Sequence, residues 1–349
     1  MKKPLVLAGI AILTLALGVN PLWAAGKSEK AASAASSSAI QPPSSPYKYS
    51  LAGGSVGGNF YLMGGGLAQT INKHLPQYFL FTAETTGGST ANITMLQSGE
   101  AELGIVMTSA LSEAVRGEAP WTKGVKHTKL RGAVPLYPSW LTLVTLKNSG
   151  IKTLKDLNGK RVGLGSKGAA LDSIFRQFLQ DQGIVPAQIH NDGHGATAVA
   201  LGNGVIEAAL HFSYPPFAAI AELESTKDLF FIPLTQAEQD ALVKTYDFYS
   251  RGGLPAGSYK GITEEVRGVS EWNMLATSVD VPEDLVYLIV KTLFENQADM
   301  LAVHSSSKFI APEYEANFNI PLHAGAVRYL REKGVAVPAA LIPPEYKGK

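Results

Sequence analysis

The sequence predicts an α/β protein of two similar lobes with a cleft between them, and three observations lead there. Short apolar runs alternate with helix-like stretches along the chain, the pattern of largely parallel sheets. The motif G-S-x-G occurs twice in the same strand–turn–helix setting, at Gly54-Ser55-Val56-Gly57 and 111 residues later at Gly165-Ser166-Lys167-Gly168. The run Leu96–Ile105 is echoed 105 residues later by Leu201–Leu210, with Leu, Gly and Glu at equal spacing. Two echoes in one order at nearly equal offsets indicate internal duplication, and paired lobes imply a cleft.

The elements follow in order. Lys2 and Lys3 precede an uncharged apolar run from Leu5 to Val19, then Pro21 and a small residue at Ala24. That is the order of a signal peptide cleaved after residue 24, which directs export to the periplasm. Residues 25–46 are rich in Ala, Ser, Lys and Pro and read as a flexible linker. Tyr49–Ala52 reads as a strand, the glycine-rich turn follows, and a helix is expected over Phe60–His74. Arg161–Leu164 is again a strand, and Ala170–Gln182 a helix. Crossovers between lobes are expected near 134–142 and 266–276, giving lobe one as 47–135 plus 265–349 and lobe two as 136–264.

Composition excludes several functions. The chain has no cysteine, so disulfides, lipid-attachment cysteines and thiolate chemistry are absent. Without Lys2 and Lys3, 28 basic residues face 29 acidic ones, and no basic run interleaved with aromatics invites nucleic acid. Gly53–Gly58 lacks G-x-G-x-x-G spacing, and no P-loop is present. No cofactor or metal is expected. His190 and His194 stand four apart, but Gly193 and Gly195 argue against a helix that would aim both at one ion.

Three glycine-rich segments suit a ligand cleft: 53–59, 85–92 and 165–168. Where strands feed helices, exposed N–H groups hold anions, glycine lets the backbone approach and hydroxyls add donors. Gly54, Ser55, Asn59, Thr86, Gly88, Ser89, Ser166 and Gly168 are the candidates. The other reading makes these residues turns and helix caps. Lys167 either swings its ammonium into the cleft or points to solvent at the rim. A rival reading is a secreted esterase: Gly53-Gly54-Ser55-Val56-Gly57 fits the G-x-S-x-G nucleophile elbow, with His323 as a downstream base.

The segments GGSVGGNFYLMGGGLA, AETTGGSTANITMLQSGEAELGIV, SGIKTLKDLNGKRVGLG and IPLHAGAVRYLREKG resemble the TAXI-type receptors of tripartite ATP-independent periplasmic (TRAP) transporters, over about residues 47–332. The resemblance implies a type II periplasmic-binding-protein fold whose cleft closes on ligand, no catalysis, and a monomer that hands its solute to TRAP membrane permease subunits. It implies a small organic anion or amino acid as ligand, such as glutamate or 2-oxoglutarate. It carries the ligand-binding Ser and Asn to Ser89 and Asn92, the aromatic pair to Phe60 and Tyr61, and the crossover tyrosine to Tyr137. Three departures stand out. Thr108-Ser109 replaces Ser-Asp, Gly168-Ala169-Ala170-Leu171 replaces G-S-G-T, and Ser213-Tyr214-Pro215 replaces a Gly-His-Pro-like turn. Without the Asp, a cleft carboxylate is expected to be missing, and acids lacking an α-amino group are expected to be preferred. A sensory partner in place of the permease would share every one of these features.

Overall fold

The computed structural model describes residues 40–56, 58–167 and 169–348. The expected signal peptide, residues 25–39 of the expected linker, Gly57 and the candidate Gly168 lie outside the described residues. Among the described residues, no helix is long and apolar enough to cross a membrane.

Among the described residues, ten strands form one sheet: β1 (Tyr47–Ala52), β2 (Phe79–Glu84), β3 (Leu103–Met107), β4 (Leu130–Leu146), β5 (Arg161–Gly163), β6 (Gln188–His190), β7 (Ala208–Ser213), β8 (Leu229–Phe231), β9 (Ser250–Leu254) and β10 (Val266–Ser278). Ten α-helices accompany them: α1 (Asn59–His74), α2 (Ser89–Ser98), α3 (Thr108–Arg116), α4 (Ala170–Asp181), α5 (His194–Gly202), α6 (Ala218–Thr226), α7 (Gln236–Thr245), α8 (Glu283–Glu295), α9 (Gln297–Val303) and α10 (Ala324–Glu332). The strand order is β2-β1-β3-β10-β4-β7-β5-β6, with β8 on β4 and β9 on β10. Read from either edge, the halves match. In one, β1 runs parallel to β2 and β3, and β10 lies antiparallel beside β3. In the other, β5 runs parallel to β6 and β7, and β4 lies antiparallel beside β7. The duplicated unit is therefore β1-α1-β2-α2-β3 and β5-α4-β6-α5-β7, with both sequence echoes at equivalent places.

Two long strands join the halves. β4 pairs with β10 over Leu130–Trp140 and with β7 over Trp140–Thr145. β10 pairs with β9 over Val266–Ser270, then with both β3 and β4. Pro135 and Pro138 lie within β4, where proline cannot donate to a ladder. The β4–β10 register accordingly shifts between Asn273 and Met274 and again between Leu275 and Ala276.

The first half buries Leu51, Leu103 and Ile105 beneath Met63, Leu67 and Ile71 of α1, a stripe spaced by four that faces the sheet, while α2 lies against the other face at Gly104. In the second half, alternate residues of each strand enter different cores. Leu143, Leu210 and Phe212 join Phe175 and Phe178 of α4, whereas Val144 and Ala209 join Ile220 of α6 and Tyr259.

Candidate functional site

A cavity of about 150 Å³ opens where the carboxyl ends of the parallel strands face each other. Elsewhere an apolar cavity of that volume holds one benzene-sized molecule, so the scale is that of a small solute. Its wall is built from the first turns of five helices: α1 (Gly58, Asn59, Phe60), α2 (Gly88, Ser89, Thr90), α3 (Ser109, Ala110), α4 (Ala169, Ala170) and α5 (Gly193, His194). The residues ahead of these helices are Gly58, Gly88, Met107, Ala169 and Gly193, and none caps its helix through a side chain. First-turn N–H groups have no intrahelical partner, and aligned peptide dipoles add partial positive charge there. Among the described lining residues there is no Lys or Arg.

Lobe one holds its wall through one buried side chain. Asn92 Nδ2 donates to the Gly53 carbonyl at 2.7 Å and to the Ile105 carbonyl at 2.7 Å, and its Oδ1 accepts from the Thr86 hydroxyl at 2.6 Å. The Thr86 hydroxyl also contacts the Gly53 carbonyl, at 3.1 Å, and accepts from the Gly88 N–H at 3.2 Å. Gly88 sits at φ +100°, ψ −157°, a region open essentially to glycine alone. Ser89 Oγ accepts from the Met107 N–H at 3.1 Å and lines the cavity. Asn92 and Thr86 do not line it: they fix the backbone that does.

In lobe two His190 and His194 do not share a helix: His190 ends β6, and His194, with Gly193 ahead of it, opens α5 rather than lying in a loop. Among the described residues, no group of three or more His, Asp or Glu is arranged to hold a metal ion. The His194 ring faces the cavity and packs edge-on to His211 at 5.9 Å and Phe217 at 6.1 Å. Burial holds the His211 imidazole far below its ordinary range, at about 3, with His194 adding to the effect, while His194 itself is open to the cavity. Both ring nitrogens of His211 are buried without a partner.

The joining strands make the floor: Tyr137 and Ser139 from β4, Glu271 and Asn273 from β10. The expectation of a missing cleft carboxylate is overturned here. Glu271, only 2% exposed, lines the cavity, and its Oε2 accepts from the Ser109 N–H at 3.0 Å. It thus occupies the start of α3, where Thr108-Ser109 supplies no acid of its own. Burial, with Glu113 nearby, pushes its carboxyl up to about 7 against the hydrogen bonds from the α3 start. One signal pointed to the floor: residues 271 and 273 are polar at alternate positions inside an apolar strand, and so share a face.

The remaining candidates divide. Gly54, Ser55, Asn59, Phe60, Gly88, Ser89, Ser109, Tyr137, Ser166 and Ser213 line the cavity. Tyr61 is 42% exposed and Lys167 is exposed; neither lines it. Thr108 is buried, and its carbonyl accepts from Asn319. Tyr214 packs against Tyr137, Trp140, His304 and Phe309, and its carbonyl accepts from Asn59 Nδ2 at 3.3 Å, a contact between the two halves. Glu113–Ser173 (3.2 Å) and Arg116–Asp247 (2.7 Å) also join them. His323, the base of the esterase reading, is buried away from Ser55. It packs at the start of α10, 2.9 Å from the Val281 carbonyl and accepting from the Gly325 N–H.

A model of the NMT1-like family matches residues 51–334, most of the chain. The chain belongs to that family. Among solved structures, this NMT1-like protein is similar to one described as a periplasmic transporter, with 15% identity and a TM-score of 0.50, covering 77% of this chain and 88% of that one. It is also similar to a putative L-cystine ABC transporter protein from Listeria monocytogenes (16% identity, TM-score 0.46, 78% and 99% covered). A probable amino-acid ABC transporter extracellular-binding protein from Bacillus subtilis gives 17% identity, a TM-score of 0.46, and 77% and 100% coverage. At 15% identity the likeness to the first of these shows the fold alone, a two-lobed α/β architecture.

Proposed function

We propose that this NMT1-like protein is a periplasmic solute receptor that captures a small carboxylate-bearing molecule between its lobes, passes it to a membrane transporter and catalyses nothing. The observation that carries the reading is the convergence of five helix starts, none capped by the residue ahead of it and only that of α3 met by a side chain, Glu271, on one interlobe cavity whose described lining residues include no lysine or arginine. Such a wall binds a carboxylate through backbone N–H groups and dipoles. The permease is a TRAP pair, on the motif resemblance, and the lobes are 47–135 plus 265–349 and 136–264. Closure follows from ligand contacts to both lobes, which favour the closed arrangement over the open one.

The test is a thermal-shift screen against carboxylates of two to six carbons. Ligand at 100 times its Kd should add about 2.7 kcal/mol of stability. A cavity that no small carboxylate stabilises would remove the reading.

A further inference from the structure

We propose that Glu271 and Asn273 form an acceptor floor that selects ligands carrying an N–H donor, above all an ammonium group, opposite the carboxylate. The inference deepens the carboxylate-receptor reading and rests on it. Two independent observations support it. The first is the carboxylate itself: Glu271 is a nearly inaccessible acid in the cavity wall, with Lys and Arg absent from that wall. Without a cation this buried acid meets the cost of its charge by holding a proton part of the time near neutral pH, and a ligand ammonium is the group that would let it ionise fully.

The second is Asn273, fully buried on the same face two residues along. Its Nδ2 donates to the Tyr137 carbonyl at 2.9 Å and to Ser139 Oγ at 2.7 Å. Those acceptors fix the amide orientation, because the opposite one would set Oδ1 against the Tyr137 carbonyl. Oδ1 is therefore left as an acceptor, buried and without a partner. Helix starts around the wall offer donors, whereas Glu271 and Asn273 offer acceptors from the floor. A molecule complementary to both carries negative charge at one end and N–H donors at the other. The sequence expectation of a preference for acids without an amino group reverses once Glu271 stands in the cavity.

The experiment is calorimetry of the wild-type protein, Glu271→Gln and Asn273→Asp with three matched sets: L-alanine, pyruvate and ethylamine; L-leucine, 4-methyl-2-oxopentanoate and isoamylamine; L-glutamate, 2-oxoglutarate and 4-aminobutanoate. For the best-binding skeleton, the amino acid should bind at least tenfold tighter than its keto acid. Glu271→Gln keeps an acceptor for the Ser109 N–H and should weaken the amino acid tenfold or more while leaving the keto acid within threefold. Asn273→Asp, which adds negative charge to the floor, should weaken the keto acid more than the amino acid. If Glu271→Gln unfolds, the wild-type amino-to-keto ratio and the Asn273→Asp comparison decide alone. Keto acids binding as tightly as amino acids, or Glu271→Gln weakening both equally, would overturn the inference and leave the carboxylate reading standing. Ethylamine or isoamylamine binding in a Glu271-dependent way, with the acids silent, would overturn the carboxylate reading instead. Silence from all nine would overturn both.

Discussion

The two halves share one topology but satisfy their buried polar groups differently. Asn92 and Thr197 stand 105 residues apart at the same place in equivalent helices. Asn92 ties three elements together through Gly53, Ile105 and Thr86. Thr197 reaches only the carbonyls of Asp192 and Gly193, at the start of its own helix. The same offset pairs Val106 of β3 with His211 of β7: a buried apolar side chain in one half, a buried imidazole without hydrogen bonds in the other. Duplication has preserved the scaffold. Its first copy is cross-braced, and its second retains polar groups that the fold leaves unanswered.

The sharpest way to break this comparison is to titrate it. His211 is neutral in the folded protein, lowered to about 3, against about 6.5 for an ordinary histidine. Its contribution to stability is therefore present above pH 6.5 and lost as pH falls below that value, because only the unfolded chain takes up the proton. The loss runs at about 1.4 kcal/mol per pH unit. His211→Phe should gain on the wild type by that increment for each unit between pH 6 and 4 in urea unfolding. Parallel pH profiles for the two proteins would show that His211 is not held neutral. At neutral pH the substitution should be neutral or stabilising, since it removes an unpaired polar group at similar shape.

Next in size is the bracket. Asn92→Ala removes three buried hydrogen bonds, leaving only the Thr86 hydroxyl on the Gly53 carbonyl, and should cost about 3 kcal/mol in denaturant unfolding, whereas Thr197→Ala should cost about 1 kcal/mol. Equal costs would mean that the first half is no better braced than the second. The smallest expected effect belongs to Lys167. An exposed rim charge changes association slightly and dissociation hardly at all. Stopped-flow measurement on Lys167→Met should give a dissociation rate within twofold of the wild type; a tenfold rise would bring this side chain into the cleft.

Much of the scaffold was legible because glycine-bearing turns and helix-to-strand junctions are local signals. G-S-x-G and the Leu-to-Glu echo mark equivalent junctions in β1-α1-β2-α2-β3 and β5-α4-β6-α5-β7. Ser89 and Ser213 were legible for the same local reason, whereas Tyr137 was reached through the motif resemblance. Glu271 did not, because it meets Ser109 across 162 residues of sequence, and only the antiparallel pairing of β10 with β3 brings them together. Asn92 was legible as important but not as a brace: its partners are backbone carbonyls, which carry no sequence signature. The two glycines did keep His190 and His194 off a common helix, but they did not keep His194 out of α5, because glycine lowers helix propensity without deciding the outcome where packing favours the helix.

In the cleft closure proposed above, the residues on the joining strands would occupy the fulcrum. A fulcrum moves least, so Glu271 and Asn273 present nearly the same face to a ligand whether the jaws are open or shut. A contact of equal strength in both states adds affinity and shifts no equilibrium. Leverage belongs to the helix starts, which approach one another as the cleft narrows. Capture and clamping are therefore divided between different parts of one small cavity. Glu271→Gln, once saturated, should give the same radius of gyration by small-angle scattering as the saturated wild type, having lost grip but not reach.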